Sequence, residues 1–228
     1  MAKRLGIIGG LSPYSTIIYY KAINEAYKQK TGSYPELVID SVSISKVCPL
    51  VKEGRLNDLA GYLAESARRL EQAGAELFII AANTPHIVAE KVASATGMEF
   101  IHILDAVYKD IERLGIKRIG LLATSGTVRH RLYQDYLEEK GVKVIVPSGQ
   151  AQKKLDEIID RIVDGYMSES MSLIASSIAS GLISKGAQAL VLGCTELPLV
   201  FQRIKTRIPV IDSVRSHVGY IVEKMVMD

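Results

Sequence analysis

Gly74-Ala-Glu-Leu-Phe-Ile-Ile-Ala-Ala-Asn83 decides the fold, because the chain repeats it as Gly186-Ala-Gln-Ala-Leu-Val-Leu-Gly-Cys-Thr195. Each copy is a glycine, a polar step, an apolar run and a short motif rich in small and polar residues. The opening stretch, Arg4-Leu-Gly-Ile-Ile-Gly-Gly10, is matched at nearly the same offset by Arg118-Ile-Gly-Leu-Leu-Ala-Thr124. Two paired matches in the same order read as two copies of one structural unit.

Outward from these runs, short apolar segments bounded by Gly, Ser or Pro alternate with longer segments of helical period. That is the pattern of βαβ units feeding a parallel sheet. Strands are expected at Arg4–Gly9, Leu37–Ser41, Leu77–Ala82, Phe100–Ile103, Arg118–Ala123, Lys143–Val146, Ala189–Cys194 and Val210–Ile211. Leu56, Leu59, Leu63, Ala67 and Leu70 recur at spacings of three and four, which predicts a helix with one apolar stripe, ended by Gly74. Residues 43–54 lack such a period and read as a loop long enough to reach over a site. The expected architecture is α/β, with two pseudo-symmetric three-layer lobes, mainly parallel sheets and a cleft between the lobes. One lobe spans 1–104 with a returning C-terminal helix in 210–228, and the other spans 105–209.

In open parallel sheets, ligands bind beyond the carboxyl ends of the strands. The repeat therefore nominates Gly10 to Ser15, Ala82 to Thr84, Thr124 to Thr127 and Gly193 to Glu196.

Composition removes several classes of function. Lys and Arg number 28 against 25 Asp and Glu, a net charge of +3 with no basic block, which argues against nucleic acid as a partner. No run approaches the roughly 20 apolar residues of a membrane span, and the apolar run near Met1 is too short for a secretory signal, so a cytoplasmic protein is expected. Two cysteines, Cys48 and Cys194, are too few for a disulfide scaffold. The histidines lack metal-ligand spacing, so no metal is expected. Gly9-Gly10-Leu11-Ser12-Pro13-Tyr14 is not the Gly-x-Gly-x-x-Gly fingerprint, which argues against a dinucleotide with Asp40 as its ribose acid.

Four segments, Gly9-Gly10-Leu11-Ser12-Pro13-Tyr14-Ser15-Thr16, Ala82-Asn83-Thr84-Pro85-His86, Leu122-Ala123-Thr124-Ser125-Gly126-Thr127 and Gly193-Cys194-Thr195-Glu196, carry a family likeness. Together with Ile208-Pro-Val-Ile-Asp-Ser-Val-Arg-Ser-His217 they resemble the aspartate/glutamate racemase superfamily over essentially the whole chain. The resemblance implies a small-carboxylate substrate, no cofactor, a homodimer and two catalytic cysteines, one per half, in Cys-Asn-Thr and Gly-Cys-Thr motifs. Such a pair suits racemisation, which takes a proton from one face of Cα and returns one to the other.

The chain departs from that pattern where Ala82 replaces the first cysteine. A symmetric two-thiol racemase is excluded as written, and Cys194 is the remaining candidate acid/base. The superfamily also contains arylmalonate decarboxylase, which resembles this chain in keeping only the second-half cysteine. Three readings stay open: a racemase homologue with one empty face, a one-thiol decarboxylase or isomerase, and a non-catalytic small-acid binding protein. The resemblance further implies an arginine after the second strand and a lysine ahead of the late helices in aspartate-specific relatives. Here those stretches read Ser45-Lys46-Val47-Cys48 and Gly165-Tyr166-Met167, leaving Lys46 as a point charge.

The expected substrate-binding residues are Gly10, Ser12, Asn83, Thr84, Thr124, Ser125, Thr127, Thr195 and Glu196, with Lys46, His86 and His217 as further candidates. Each has a plainer alternative. Asn83 and Thr84 suit a helix cap, Glu196 suits the first turn of a helix, and Cys194 suits the buried end of a strand.

Overall fold

The computed structural model describes residues 3–226. The first unit begins with β1 (Leu5–Gly9), α1 (Pro13–Thr31), β2 (Leu37–Ser41), α2 (Ile44–Lys52), α3 (Leu56–Gln72) and β3 (Leu77–Ile80). A 3-10 turn (Thr84–Val88) then leads to α4 (Ala89–Ala93), β4 (Glu99–Phe100) and α5 (Ile103–Arg113). The repeat follows as β5 (Arg118–Leu122), α6 (Ser125–Arg129), α7 (Leu132–Glu138), β6 (Lys143–Ile145), α8 (Gln150–Val163) and α9 (Glu169–Ser184). The chain ends in β7 (Ala189–Leu192), α10 (Leu197–Phe201), β8 (Val210–Asp212) and α11 (Ser213–Val226).

The strands form two four-stranded parallel sheets of one topology, β2-β1-β3-β4 and β6-β5-β7-β8. In the first sheet, Ile8, Phe78 and Ile80 pack with Leu59, Leu63, Ala67 and Leu70 of α3. The alternate residues Ile7, Leu77 and Ile79 are just as buried, so both faces of the sheet are covered, as continuous apolar strands require. The second sheet repeats this. Leu122, Leu190 and Leu192 pack with Leu155 and Ile159 of α8 and with Ala175, Ala179 and Leu182 of α9. Each fully buried aliphatic side chain contributes roughly 1.5–3 kcal/mol of transfer free energy.

Two compact units result among the described residues, 3–103 with 217–226, and 104–216. The second boundary was expected near 210 and lies at Ser216/His217 instead, because β8 pairs with β7 and takes residues 210–212 into the second sheet. The expected loop at 43–54 is mostly the helix α2. Pro49 lies inside it, and burial of Val47 and Val51 on one face outweighs the backbone hydrogen bond that proline forgoes. The strand expected at Phe100–Ile103 is Glu99–Phe100, and Ile103 opens α5. Among the described residues no helix is long and apolar enough to cross a membrane.

Candidate active site

In each sheet the strand order reverses between the first strand and the third, and loops at such a switch point are where open α/β sheets build sites. In the first unit these loops carry Gly10 and Ser12 after β1, and Ala82, Asn83 and Thr84 after β3. The two strands run in register, Ile8 beside Ile80, and the Ala81 amide donates to the Ile8 carbonyl at 2.9 Å. The second unit places Thr124, Ser125 and Thr127 after β5, and Cys194, Thr195 and Glu196 after β7. There the Gly193 amide donates to the Leu122 carbonyl at 2.7 Å. Ala82 and Cys194 each stand two residues beyond the end of the third strand of their sheet.

The loop after β1 is held by its own side chains. The Gly10 amide donates to Thr16 Oγ1 at 2.8 Å, and Ser12 caps α1 by accepting from the Ser15 amide. Gly10 has a positive φ of 78°, and a Cβ there would overlap the Val42 carbonyl oxygen, so this position needs glycine. Asn83 is buried and Thr84 half-buried at the start of the 3-10 turn. Ala82 contributes only a methyl group.

His86 is the third residue of that turn. Its Nδ1 donates to the Ala82 carbonyl at 2.8 Å, and the Ile103 amide approaches Nε2 at 3.5 Å. Burial, and then the neighbouring His102 and His217, hold this imidazole well below the ordinary histidine range, so it is neutral. His217 of α11 is fully buried. Its Nε2 donates to the Ile101 carbonyl at 3.0 Å and its Nδ1 accepts from Tyr19 at 2.9 Å, and burial lowers its pKa to about 3. Both histidines are thus engaged on both ring nitrogens within the first unit. Both are buried and brace the backbone.

In the second unit Thr124 caps α6 by accepting from the Thr127 amide at 3.3 Å, and the two hydroxyls lie 3.1 Å apart. Thr127 is fully buried, which makes it part of the loop's scaffold. The Ser125 amide donates to Asp156 Oδ1 at 2.8 Å, so this N–H is already committed to a carboxylate on α8. Cys194 donates from Sγ to Glu196 Oε2 at 3.1 Å, and Thr195 Oγ1 donates to the same oxygen at 2.5 Å. All three residues are buried. Burial first, and the Glu196 carboxylate second, push the Cys194 thiol well above its usual value.

Lys46 lies on α2, exposed, with its ammonium 5.5 Å from the centre of the Tyr62 ring. Asp40 is bound by Arg69 at 2.9 and 2.7 Å and by Ser66 at 2.5 Å, with Arg69 first in lowering its pKa. Three contributors were not nominated from the sequence. Tyr133 of α7 is fully buried against Gly193 and bonded to Ser213, while Gln152 and Asp156 of α8 brace the loop after β5. None belongs to a motif, and only the apolar period of their helices placed them inward.

These loops resolve the chemistry of each unit: one thiol with a buried carboxylate and hydroxyls in the second, a methyl group with an amide and a hydroxyl in the first. The sequence model of the Asp/Glu/Hydantoin racemase family matches residues 8–221. The chain belongs to this family. It is similar to the broad specificity amino-acid racemase RacX of Bacillus subtilis, at 24% identity over 216 residues and 92% of both chains. A crystal structure of an aspartate racemase homologue from Pyrococcus horikoshii is 35% identical, with a TM-score of 0.83 over 99% of this chain and 100% of that one. A crystal structure from Yersinia pestis, provisionally assigned as an Asp/Glu racemase, is 31% identical with a TM-score of 0.91, again over 99% of this chain and 100% of that one. The two-sheet α/β fold of this racemase-family chain matches the fold of these neighbours.

Proposed function

We propose that this chain is a cofactor-independent racemase homologue that binds an amino acid or similar small carboxylate. Cys194 is the proton-transferring group at Cα, and Ala82 stands at the equivalent position of the first unit without one. The observation that carries this reading is the equivalence of Ala82 and Cys194, each two residues past the third strand of a sheet of the same topology. Asn83, Thr84 and Thr195 supply polar groups for a carboxylate and for the enediolate charge that develops beside it. Lys46, over Tyr62, offers no fork for a distal carboxylate, so the reading favours no preference for aspartate. The proposal includes a cytoplasmic homodimer, for which light scattering of the full chain is the check.

One observation favours a second reading. A buried thiol bonded to the Glu196 carboxylate and pushed upward by burial, with only a methyl group at the equivalent position of the first unit, suits a reaction that generates its carbanion without a base and needs only a proton donor. A one-thiol decarboxylase or isomerase is that reaction.

Solvent deuterium incorporation at Cα, followed by NMR for L- and D-amino acids, tests the proposal on the native chain, Ala82→Cys and Cys194→Ser. The expected result is slow exchange of one enantiomer by the native chain, racemisation of both by Ala82→Cys, and loss of exchange in Cys194→Ser. If Ala82→Cys exchanges no amino acid, the racemase reading fails. Release of CO₂ from a malonate-type acid by the native chain would then establish the second reading.

A further inference from the structure

The group on Cys194 that matters to any reaction is its proton, and the structure accounts for where that proton points. Cys194 Sγ lies 3.1 Å from Glu196 Oε2, and Thr195 Oγ1 reaches the same oxygen at 2.5 Å. A carboxylate can only accept, so both neighbours must donate, and the sulfur must carry hydrogen. Glu196 and Cys194 are buried, so neither charge is screened by water. Loss of the thiol proton would leave two anions about one hydrogen-bond length apart.

We propose that Glu196 is a positioning residue that holds Cys194 predominantly in its thiol form, so that the second switch-point loop is set to donate a proton to a carbanion and removes one from Cα only slowly, through its small thiolate fraction. The inference rests on the reading of Cys194 as the proton-transferring group. It also changes the role of Glu196, which becomes the partner of the thiol and not a ligand of the substrate.

The proton balance follows. As the Sγ–H bond breaks, its electron pair stays on sulfur and the proton forms a C–H bond at Cα. The thiolate left beside Glu196 is strongly basic and takes a proton from water before the next turnover. Two other groups lie near the thiol. Tyr133 of α7 is held neutral, chiefly by burial, and Asp212 of β8 stands beside that tyrosine with its pKa raised, again chiefly by burial. Neither supplies a positive charge that would favour the thiolate. The resting chain thus has mainly a donor in one unit and Ala82 in the other, and the small thiolate fraction at Cys194 limits the native chain to slow exchange.

The test is the pH midpoint of Cys194 alkylation by iodoacetamide, read by peptide mass spectrometry on the folded chain. Cys48, which is exposed, serves as an internal comparator. The midpoint is used and not the rate, so restricted access to a buried sulfur does not bias the result. Cys194 is expected to titrate above Cys48. Glu196→Gln is expected to lower its midpoint by about one unit, a roughly tenfold gain in thiolate near neutrality. Glu196→Asp, which keeps the charge, is expected to restore most of the high value. The inference is overturned if Cys194 titrates at or below Cys48, or if a folded Glu196→Gln leaves the midpoint where it was. Should Glu196→Gln fail to fold, Glu196→Ser takes its place, with the same lowered midpoint expected and an unmoved midpoint overturning the inference. A high midpoint without any Cα exchange would overturn the proton-transfer reading and leave this one intact, and exchange with a low midpoint would do the reverse.

Discussion

The phenol of Tyr19 in α1 donates to Nδ1 of His217 in α11 at 2.9 Å, and the opposite nitrogen of that imidazole donates to the Ile101 carbonyl at 3.0 Å. One neutral side chain thereby ties the last helix to the first helix and to the segment after β4. Its geometry admits no second proton without losing the Tyr19 bond.

Acid should therefore loosen the first unit. With a folded pKa of about 3 and an ordinary unfolded value near 6.5, the unfolded state binds more protons between those limits, so stability rises with pH there. His217 contributes fully above the unfolded value, and the contribution is lost as pH falls toward the folded one. Calorimetry from pH 7 to pH 4 should show Tm falling steeply in the native chain and less steeply in His217→Gln. That variant should itself cost about 1–3 kcal/mol at pH 7. Parallel pH profiles for the two proteins would rule out this role.

Gly10→Ala should be costly although it adds one methyl group. The backbone there has a φ of 78°, and the new Cβ would press on the Val42 carbonyl oxygen beside β2. A loss of about 2 kcal/mol or more is expected from urea denaturation. A change within about 0.5 kcal/mol would mean that the loop after β1 yields easily.

Asp156→Ala removes the acceptor of the Ser125 amide and one partner of Gln152. Hydrogen exchange at the Ser125 amide should then quicken by about tenfold, corresponding to about 1.4 kcal/mol of local stability, with little change in the amides of β7. Unaltered exchange at Ser125 would show that the turn is held by the Thr124 cap alone.

Tyr133→Phe deletes a fully buried hydroxyl bonded to Ser213. Loss of that bond, with its partner left buried, should cost about 1–3 kcal/mol in chemical denaturation. A variant as stable as the native chain would mean that Ser213 finds another partner.

The repeat and the βα alternation were legible because apolar period encodes which face of a segment is buried, and that code is local. It located all eight strands to within a few residues and placed Gly74 at the end of α3. It failed at α2, where proline and scattered polar residues mask a helix that only the burial of Val47 and Val51 sustains. It also assigned β8 to the wrong unit, because strand pairing joins segments that no local pattern links.

The candidate site divides in the same way. The sequence by itself determined the family motifs, the presence of Cys194, the absence of its counterpart at Ala82 and the offset of both from their strands. Only the tertiary structure decided that His86 and His217 are sealed supports, that the Ser125 amide is already taken by Asp156, and that the Cys194 proton is directed at Glu196. Those outcomes depend on burial and on the reach of individual side chains. Desolvation and a 3 Å contact set a protonation state, and both arise only when the chain has packed.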